Sequence, residues 1–452
     1  MTLGPPEIQA DRIALPNAIP PPAARLPARP RRPRKKMSHK ATGGSQKWRG
    51  RIPAPLFVNV CPSKRENNMT LIITIAYLSV LGCAIFVLLR WPRLKCTGTH
   101  PVGILTLVAL LFTAGLDMGL IMLPLTEFPV YESDPAFAFT NALAVEFGMW
   151  GPLVWLMYFV TTFYFVALEP RLRIFEIPLV KWLYNLTVIA TCAFTCYLFM
   201  INLPAYAPDL PHWGVWALGV AVIAFSVVSS GNFYIMKWLA IVSTYGFGML
   251  AFTALFVVAF AYSGVGFGNF FSNIGLLLDY FVHLHRFATP IGDYHEFYLF
   301  WWFSWSLMIG QFVARYVGGL ETWQLAGAMV VLPVIPLGAW FCVLFIYHQH
   351  SLVIPGWLNW FMIFVGVVFV VNSLDSLIRL YSANLGWSRD IVGSRVYYPL
   401  HFTLQFLLVI AFFFTPFEIQ WVGLAVVAIY AITYAVMLTR AAQFPAAREQ
   451  AD

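Results

Sequence analysis

The apolar residues of this chain come in runs of about 20 or more, the length of helix that spans the hydrocarbon core of a bilayer. In lipid every backbone N–H and C=O must be satisfied within the structure, so runs of this kind fold as helices. Runs bounded by Pro, Gly or charged residues predict about eleven spans, near 70–91, 102–123, 138–166, 183–203, 214–236, 239–264, 295–317, 322–346, 356–380, 396–416 and 418–439. Of 452 residues, 60% are hydrophobic and 11% charged, well below the quarter or so charged residues of soluble domains, which excludes a water-soluble fold. The expected class is an all-α integral membrane protein in the lipid bilayer.

The net charge of +8 is unevenly distributed. Residues 1–68 hold 14 of the 28 Lys and Arg against three acids (Glu7, Asp11, Glu66), a net of +11, which leaves 14 minus 17, or −3, for the remainder. That tail is rich in Pro, Ala and Arg, with no apolar run long enough to span, and is expected to be disordered. The charge therefore gives no reason to expect a nucleic-acid partner. No signal peptide is expected, since no continuous apolar segment precedes residue 70.

With the loop after the first span on the cytoplasmic side, thirteen basic residues of the core, from Arg90 to Arg448, fall on that side and Arg286 alone on the other. This asymmetry expects a cytoplasmic C-terminal tail (440–452) and puts the start of the first helix outside. A tail of fourteen basic residues resists export, so a start at Met69 is the expected resolution; the rival is an unusual topology near a genuine tail. The stretch 266–287, with Asp279, His283, His285 and Arg286 among aromatics, suits an amphipathic helix on the outer surface.

The six cysteines have no paired metal-ligand spacing, and His401 is the one histidine inside an expected span, so neither a disulfide framework nor a haem or metal centre is expected. No P-loop is present, which disfavours ATP-driven transport by this chain. Ionisable groups inside spans are costly, at least about 2.5 kcal/mol each, and mark pathways or pairs. Asp117, Glu146 and Asp375 are the candidates.

Asp117 lies in FTAGLDMGL (112–120), where Gly115 and Gly119 either loosen a helix so that backbone groups face a ligand or form a small-residue packing face. In the third span Trp150, Trp155 and Tyr158 project at 0°, about 140° and about 80° around an uninterrupted helix, so the three rings share a side; they wall a cavity or anchor at the lipid interface. Trp301, Trp302 and Trp305 fall within an arc of about 100° and lie deeper than an interface belt. Clustered ring faces at that depth suit an organic cation, which gains about 2 kcal/mol or more from a desolvated contact.

WWFSWSLMIGQFVAR (301–315) resembles the eighth-helix signature of the betaine/choline/carnitine transporter family. FTAGLDMGL resembles its glycine stretch, EFGMWGPLVWLMY (146–158) has the W-x4-W-x2-Y spacing of its aromatic box, and VVNSLDS (370–376) is similar to its TSADS motif. FSVVSSGNFYIMKWLA (225–240) is similar to the helix-turn-helix that follows TSADS-like sequence in its first repeat, and the likeness covers about residues 70–440.

The resemblance implies a five-plus-five inverted-repeat fold of the leucine-transporter type: a peripheral first helix and loop (69–101), repeat 1 (102–264), a surface helix (265–294) and repeat 2 (295–439). It implies a cage of Trp150, Trp155, Tyr158 and Trp302 around a trimethylammonium group, with Trp301 and Trp305 beside the access path. It also implies a Na⁺ site surrounded by Thr113, Leu116, Asn372 and Ser373, and a homotrimer.

The sequence departs from the family pattern at Asp117 for glycine, Asn372 for threonine, and Leu299 and Leu307 for Trp and Pro. The family's first helix has no counterpart, and the connection 347–355 is short. A carboxylate at Asp117 beside the cage would repel betaine's own carboxylate and favour choline, or would carry a proton, so H⁺ coupling competes with Na⁺ coupling. The expected function is a non-enzymatic secondary transporter importing a quaternary ammonium compound across the cell (inner) membrane. The alternatives are a non-transporting membrane sensor of such a ligand and a structural or respiratory subunit whose aromatics only pack.

Overall fold

The protein is seen in a computed structural model that describes residues 66–116, 118–262, 264–440 and 443–444. The basic tail up to residue 65, Asp117 and nearly all of the C-terminal tail lie outside the described residues.

Helix α1 (Glu66–Arg90) leads to a short strand β1 (Lys95–Thr97). Helices α2 (Ile104–Gly115), α3 (Gly119–Met122) and α4 (Pro124–Ser133) follow as one interrupted rod, then α5 (Ala142–Trp150), α6 (Pro152–Phe163) and α7 (Glu169–Leu172) as another. Three long helices complete the first half: α8 (Pro178–Tyr206), α9 (His212–Ser230) and α10 (Phe233–Ala261). After α11 (Phe267–Val282) come α12 (Asp293–Ala314), strand β2 (Gly318–Glu321), α13 (Thr322–Val330) and α14 (Val334–Gln349). Helices α15 (Gly356–Leu385), α16 (Arg389–Val392), α17 (Ser394–Phe414) and α18 (Ile419–Thr439) close the described chain.

Among the described residues ten helical segments are long and apolar enough to cross a membrane, and the interrupted rod α2–α4 is an eleventh apolar element. The first helix of each half packs against the fifth, α2 on α10 and α12 on α18, while α2 also meets α12 and α8 meets α15. First against first and third against third is the pattern of two five-helix repeats related by a pseudo-twofold axis. An odd number of crossings per repeat inverts the second relative to the first. The fold is thus an all-α integral membrane fold of the five-plus-five inverted-repeat, leucine-transporter type. Helix α1 packs chiefly on α6 and leaves Leu71, Ile75, Ile85, Phe86 and Leu89 exposed along its outer face, as a peripheral lipid-facing helix does.

Several expected boundaries move, each for a local reason. The first span starts at Glu66, so Met69 lies in its first turn instead of directly before it. The second span is not one helix over 102–123: Leu116 is extended (φ −124°, ψ 143°) and the helical course then continues to Ser133, with Pro124 tolerated at a helix start because its missing N–H would be unpaired there. The third span begins at Ala142, capped by the Asn141 side chain on the Ala144 N–H, and breaks at Gly151 (ψ −158°) before Pro152. The sixth starts at Phe233 because the Asn232 side chain caps the Tyr234 N–H. The span near 322–346 divides at Val331–Pro333 into α13 and α14.

Strands β1 and β2 form an antiparallel pair with Lys95 opposite Glu321 and Cys96 opposite Leu320. Nothing in the apolar pattern announces this pair. It ties the loop after α1 to the loop after α12, and the Gly98 N–H extends it by donating to the Val317 carbonyl.

Candidate functional site

The two helix breaks define the site. Extended backbone at Leu116 leaves carbonyls at the end of α2 without helical partners, and a buried carbonyl must find a donor. Asn372 donates its Nδ2 to the Thr113 carbonyl (2.9 Å), the Ser373 hydroxyl donates to the Leu116 carbonyl (3.2 Å), and the Tyr158 hydroxyl donates to the Gly115 carbonyl (3.1 Å). Pro124 leaves the Leu120 carbonyl free, and the Trp340 indole takes it at 2.9 Å. The four residues expected around Na⁺ are therefore in one place, on α2, its end and α15. Oxygens suited to a hard cation are the Thr113 and Leu116 carbonyls and the Ser373 hydroxyl. Asn372 offers its N–H toward them, so it would serve an ion only after turning its Oδ1 inward.

The break between α5 and α6 builds the aromatic cluster. A Cβ at Gly151 would lie 2.2 Å from the Phe147 carbonyl oxygen, so only glycine fits that turn. The carbonyls freed there are capped by the rings themselves: Trp302 Nε1 donates to Met149 O at 2.8 Å and Trp155 Nε1 to Trp150 O at 2.9 Å. The single-helix projection of Trp150, Trp155 and Tyr158 is thereby corrected. Trp150 ends one helix, Trp155 and Tyr158 share a face of the next, and the Trp155 indole folds back onto the Trp150 carbonyl.

Trp150 meets Trp302 edge to face with centroids 5.0 Å apart and Trp301 at 5.5 Å, and Trp301 stacks on Trp302 at 5.2 Å and 6°. Trp155 and Tyr158 lie edge to face at 5.5 Å, and Tyr158 reaches Trp302 at 6.4 Å. Trp305 is buried on the same helix, but its ring joins none of these pairs. Gly310 lets α12 approach α6, since a Cβ there would meet Thr161 at 2.3 Å, and the Thr161 hydroxyl donates to the Ser306 carbonyl (2.7 Å). Gly115 is not needed for space: a Cβ would make an ordinary 3.5 Å contact with Tyr158.

Of the buried charges, Asp375 is paired with Arg379 one turn on (3.3 Å), and Arg379 also donates to the carbonyls of Ser229 and Asn232 at the α9–α10 turn. His401 is committed to the Tyr381 hydroxyl at 2.8 Å. Glu146 is fully buried, with no donor in hydrogen-bonding geometry at either oxygen, and it lies close enough to Glu127 to interact with it. Glu127 is a residue the sequence reading missed, because the second span was ended at 123. The available signal was Glu127 and Tyr131, four apart and hence on one face of any helix continued past Pro124. Among the described residues no group of three or more His, Cys, Asp or Glu could hold a metal ion.

No family model matches the chain. The chain is similar to an uncharacterized transporter of Mycobacterium bovis and to one of Mycobacterium tuberculosis, in each case 24% identical over 281 residues, which is 52% of this chain and 46% of the relative. It thus spans less than half the length of these curated relatives. Among solved structures it is similar to a Na⁺-coupled sialic acid symporter in its substrate-bound, outward-open state, with a TM-score of 0.40 and 14% identity, covering 83% of this chain and 82% of that one.

Proposed function

We propose that the chain is a secondary active transporter importing a quaternary ammonium compound, of the choline or glycine betaine type, by alternating access coupled to Na⁺ or H⁺. The observation that carries this reading is the joining of two broken helices at one buried point. The freed carbonyls of α2 face Asn372 and Ser373, while Trp150, Trp155, Tyr158, Trp301 and Trp302 cluster at the α5–α6 break. Broken helices at mid-membrane are where transporters of this fold hold substrate and coupling ions. Electron-rich ring faces favour a cation without hydrogen-bonding hydrogens, whose attraction is about 2 kcal/mol or more once desolvated. The names of the mycobacterial relatives support the transport class.

In this reading the repeats are 102–264 and 295–439, the protein lies in the cell (inner) membrane with its C-terminus cytoplasmic, and the assembly is a homotrimer. The rings touch edge to face, so ligand entry requires at least one of them to turn aside. Asp117, by its position in the glycine stretch, favours choline over betaine.

The test is uptake of radiolabelled choline and glycine betaine into proteoliposomes, with Na⁺ and pH gradients imposed separately, comparing wild type with Trp302→Ala and Asp117→Asn. Gradient-driven uptake that Trp302→Ala abolishes supports the cage, and selective loss of choline in Asp117→Asn supports that residue's role. A second reading, a non-transporting sensor, is favoured by the short connection between α14 and α15. Quenching of Trp fluorescence by choline without any uptake would select it.

A further inference from the structure

Glu127 on α4 and Glu146 on α5 are both buried, with 2% and 0% of their surface accessible. Three hydroxyls serve Glu127: Tyr294 (2.5 Å) and Tyr298 (2.7 Å) donate to Oε1, and Tyr131 (2.9 Å) and Tyr298 (2.8 Å) to Oε2. None serves Glu146, although Tyr131 and the Trp150 indole lie beside it. Among the described residues no basic side chain pairs with either carboxyl. On the elements packed around them His348 is held by Glu132, His283 lies beside Asp279, and Arg286 sits over the Phe139 ring. His295 accepts the Ile291 N–H on Nδ1, Tyr206 donates to the Met122 carbonyl, Tyr347 donates to Ala254, and Glu296 receives Thr70.

The asymmetry of donors matches a pair that shares one proton. An ionised carboxylate is acceptor only and takes several donors, as Glu127 does; a protonated carboxyl brings its own O–H and needs an acceptor, which the neighbouring Glu127 supplies to Glu146. Two bare charges side by side without a counter-ion in an apolar interior could not both persist.

We propose that Glu127 and Glu146 form a proton-binding site in which Glu146 holds one proton against the Glu127 carboxylate. The proton passes to water when the covering helices part, the Glu146 O–H bond breaking to leave a second carboxylate. The site is wired to the aromatic cluster. Glu146 precedes Trp150 by one helical turn, and Tyr298, which donates to Glu127, has its ring 5.9 Å from Trp150, 5.4 Å from Trp301 and 6.3 Å from Trp302. With its proton bound the pair still carries one negative charge beside the cluster, which attracts a cationic cargo, so proton and cargo can be carried together. This deepens the transport reading by making H⁺ a coupling ion, and that coupling role rests on the reading.

The test begins with infrared difference spectroscopy of the purified full chain, titrated by pH in H₂O and D₂O. Wild type should retain at neutral pH a protonated-carboxyl C=O band that shifts in D₂O and is lost in Glu146→Gln. Should that variant fail to fold, Glu127→Gln should keep the band but shift it, because the acceptor has changed. No such band in wild type, a band unchanged in Glu146→Gln, or one unshifted in Glu127→Gln overturns the site. The second measurement is choline accumulation driven by an imposed pH gradient, expected in wild type and lost in Glu146→Gln, with counterflow exchange retained. Accumulation that persists in Glu146→Gln overturns the coupling role. If the band behaves as expected but wild type takes up nothing, the proton site stands and the transport reading falls.

Discussion

The indole N–H of Trp302 donates to the carbonyl of Met149 at 2.8 Å, so a ring of the aromatic cluster also caps a broken helix. The aromatic cluster and the helix break depend on each other through this bond. Removing the ring and removing only the donor should have different consequences.

Trp302→Ala should weaken choline binding by about tenfold or more, the equivalent of losing one desolvated cation–π contact. Trp302→Phe keeps a ring but leaves the Met149 carbonyl unpaired, at a cost of about 1–3 kcal/mol. Equilibrium binding of labelled choline and thermal denaturation of the same samples separate the two: Phe should retain part of the affinity while lowering Tm.

Gly151→Ala places a methyl 2.2 Å from the Phe147 carbonyl, a contact that cannot be relieved by turning a side chain. Overpacking of this kind costs about 1–3 kcal/mol. Fluorescence-detected size exclusion after heating should show a lowered melting point, whereas Gly115→Ala, with a 3.5 Å contact, should be close to wild type.

Asn372→Thr exchanges an N–H that occupies the Thr113 carbonyl for a hydroxyl. With that carbonyl released, three or four oxygens face the same point and Na⁺ should stimulate uptake at lower concentration than in wild type. Ser373→Ala should do the opposite. Initial uptake rates against Na⁺ concentration check both.

Arg379→Gln leaves Asp375 buried without its partner, a loss of about 3–5 kcal/mol. Combining it with Asp375→Asn removes the orphaned charge and should recover part of the loss. Thermal denaturation of the two single variants and the double variant measures the coupling.

Cys96 lies in β1, outside the spans, and burial pushes its thiol from 9.0 up to about 11, with a hydrogen bond from Thr322 acting the other way. The folded form therefore holds its proton where the unfolded chain ionises. Stability from this group is intact below pH 9.0 and is lost as pH rises toward about 11. Cys96→Ala should show a shallower loss of Tm across that interval than wild type.

The span count, the membrane class and the identity of most cluster residues were legible because they depend on periodicity and on motif spacing along the chain. Trp302 lies beside Trp150, and Asn372 and Ser373 lie against Thr113 and Leu116, the residues grouped with them from the sequence; the bond from Trp302 to the Met149 carbonyl was not expected. The β1–β2 pair was not legible: three residues and four residues separated by more than two hundred carry no hydropathy signal. Nor was Glu127, which a Pro-based boundary at 123 had placed in a loop.

The sequence by itself determined that this chain must be a multi-helix membrane protein, because apolar runs of this length have no other way to satisfy their backbone in lipid. It also supplied the Gly and Pro residues at which helices can break, although the breaks within 138–166 and 322–346 were not expected from it. Only the tertiary structure decided what each break exposes and what answers it. Whether the Leu116 carbonyl meets Ser373, whether Trp155 folds back on Trp150, and whether Glu146 finds Glu127 instead of an arginine depend on which distant helices pack together. Burial makes those pairings energetically decisive, and burial is a property of the packed assembly, not of any one segment.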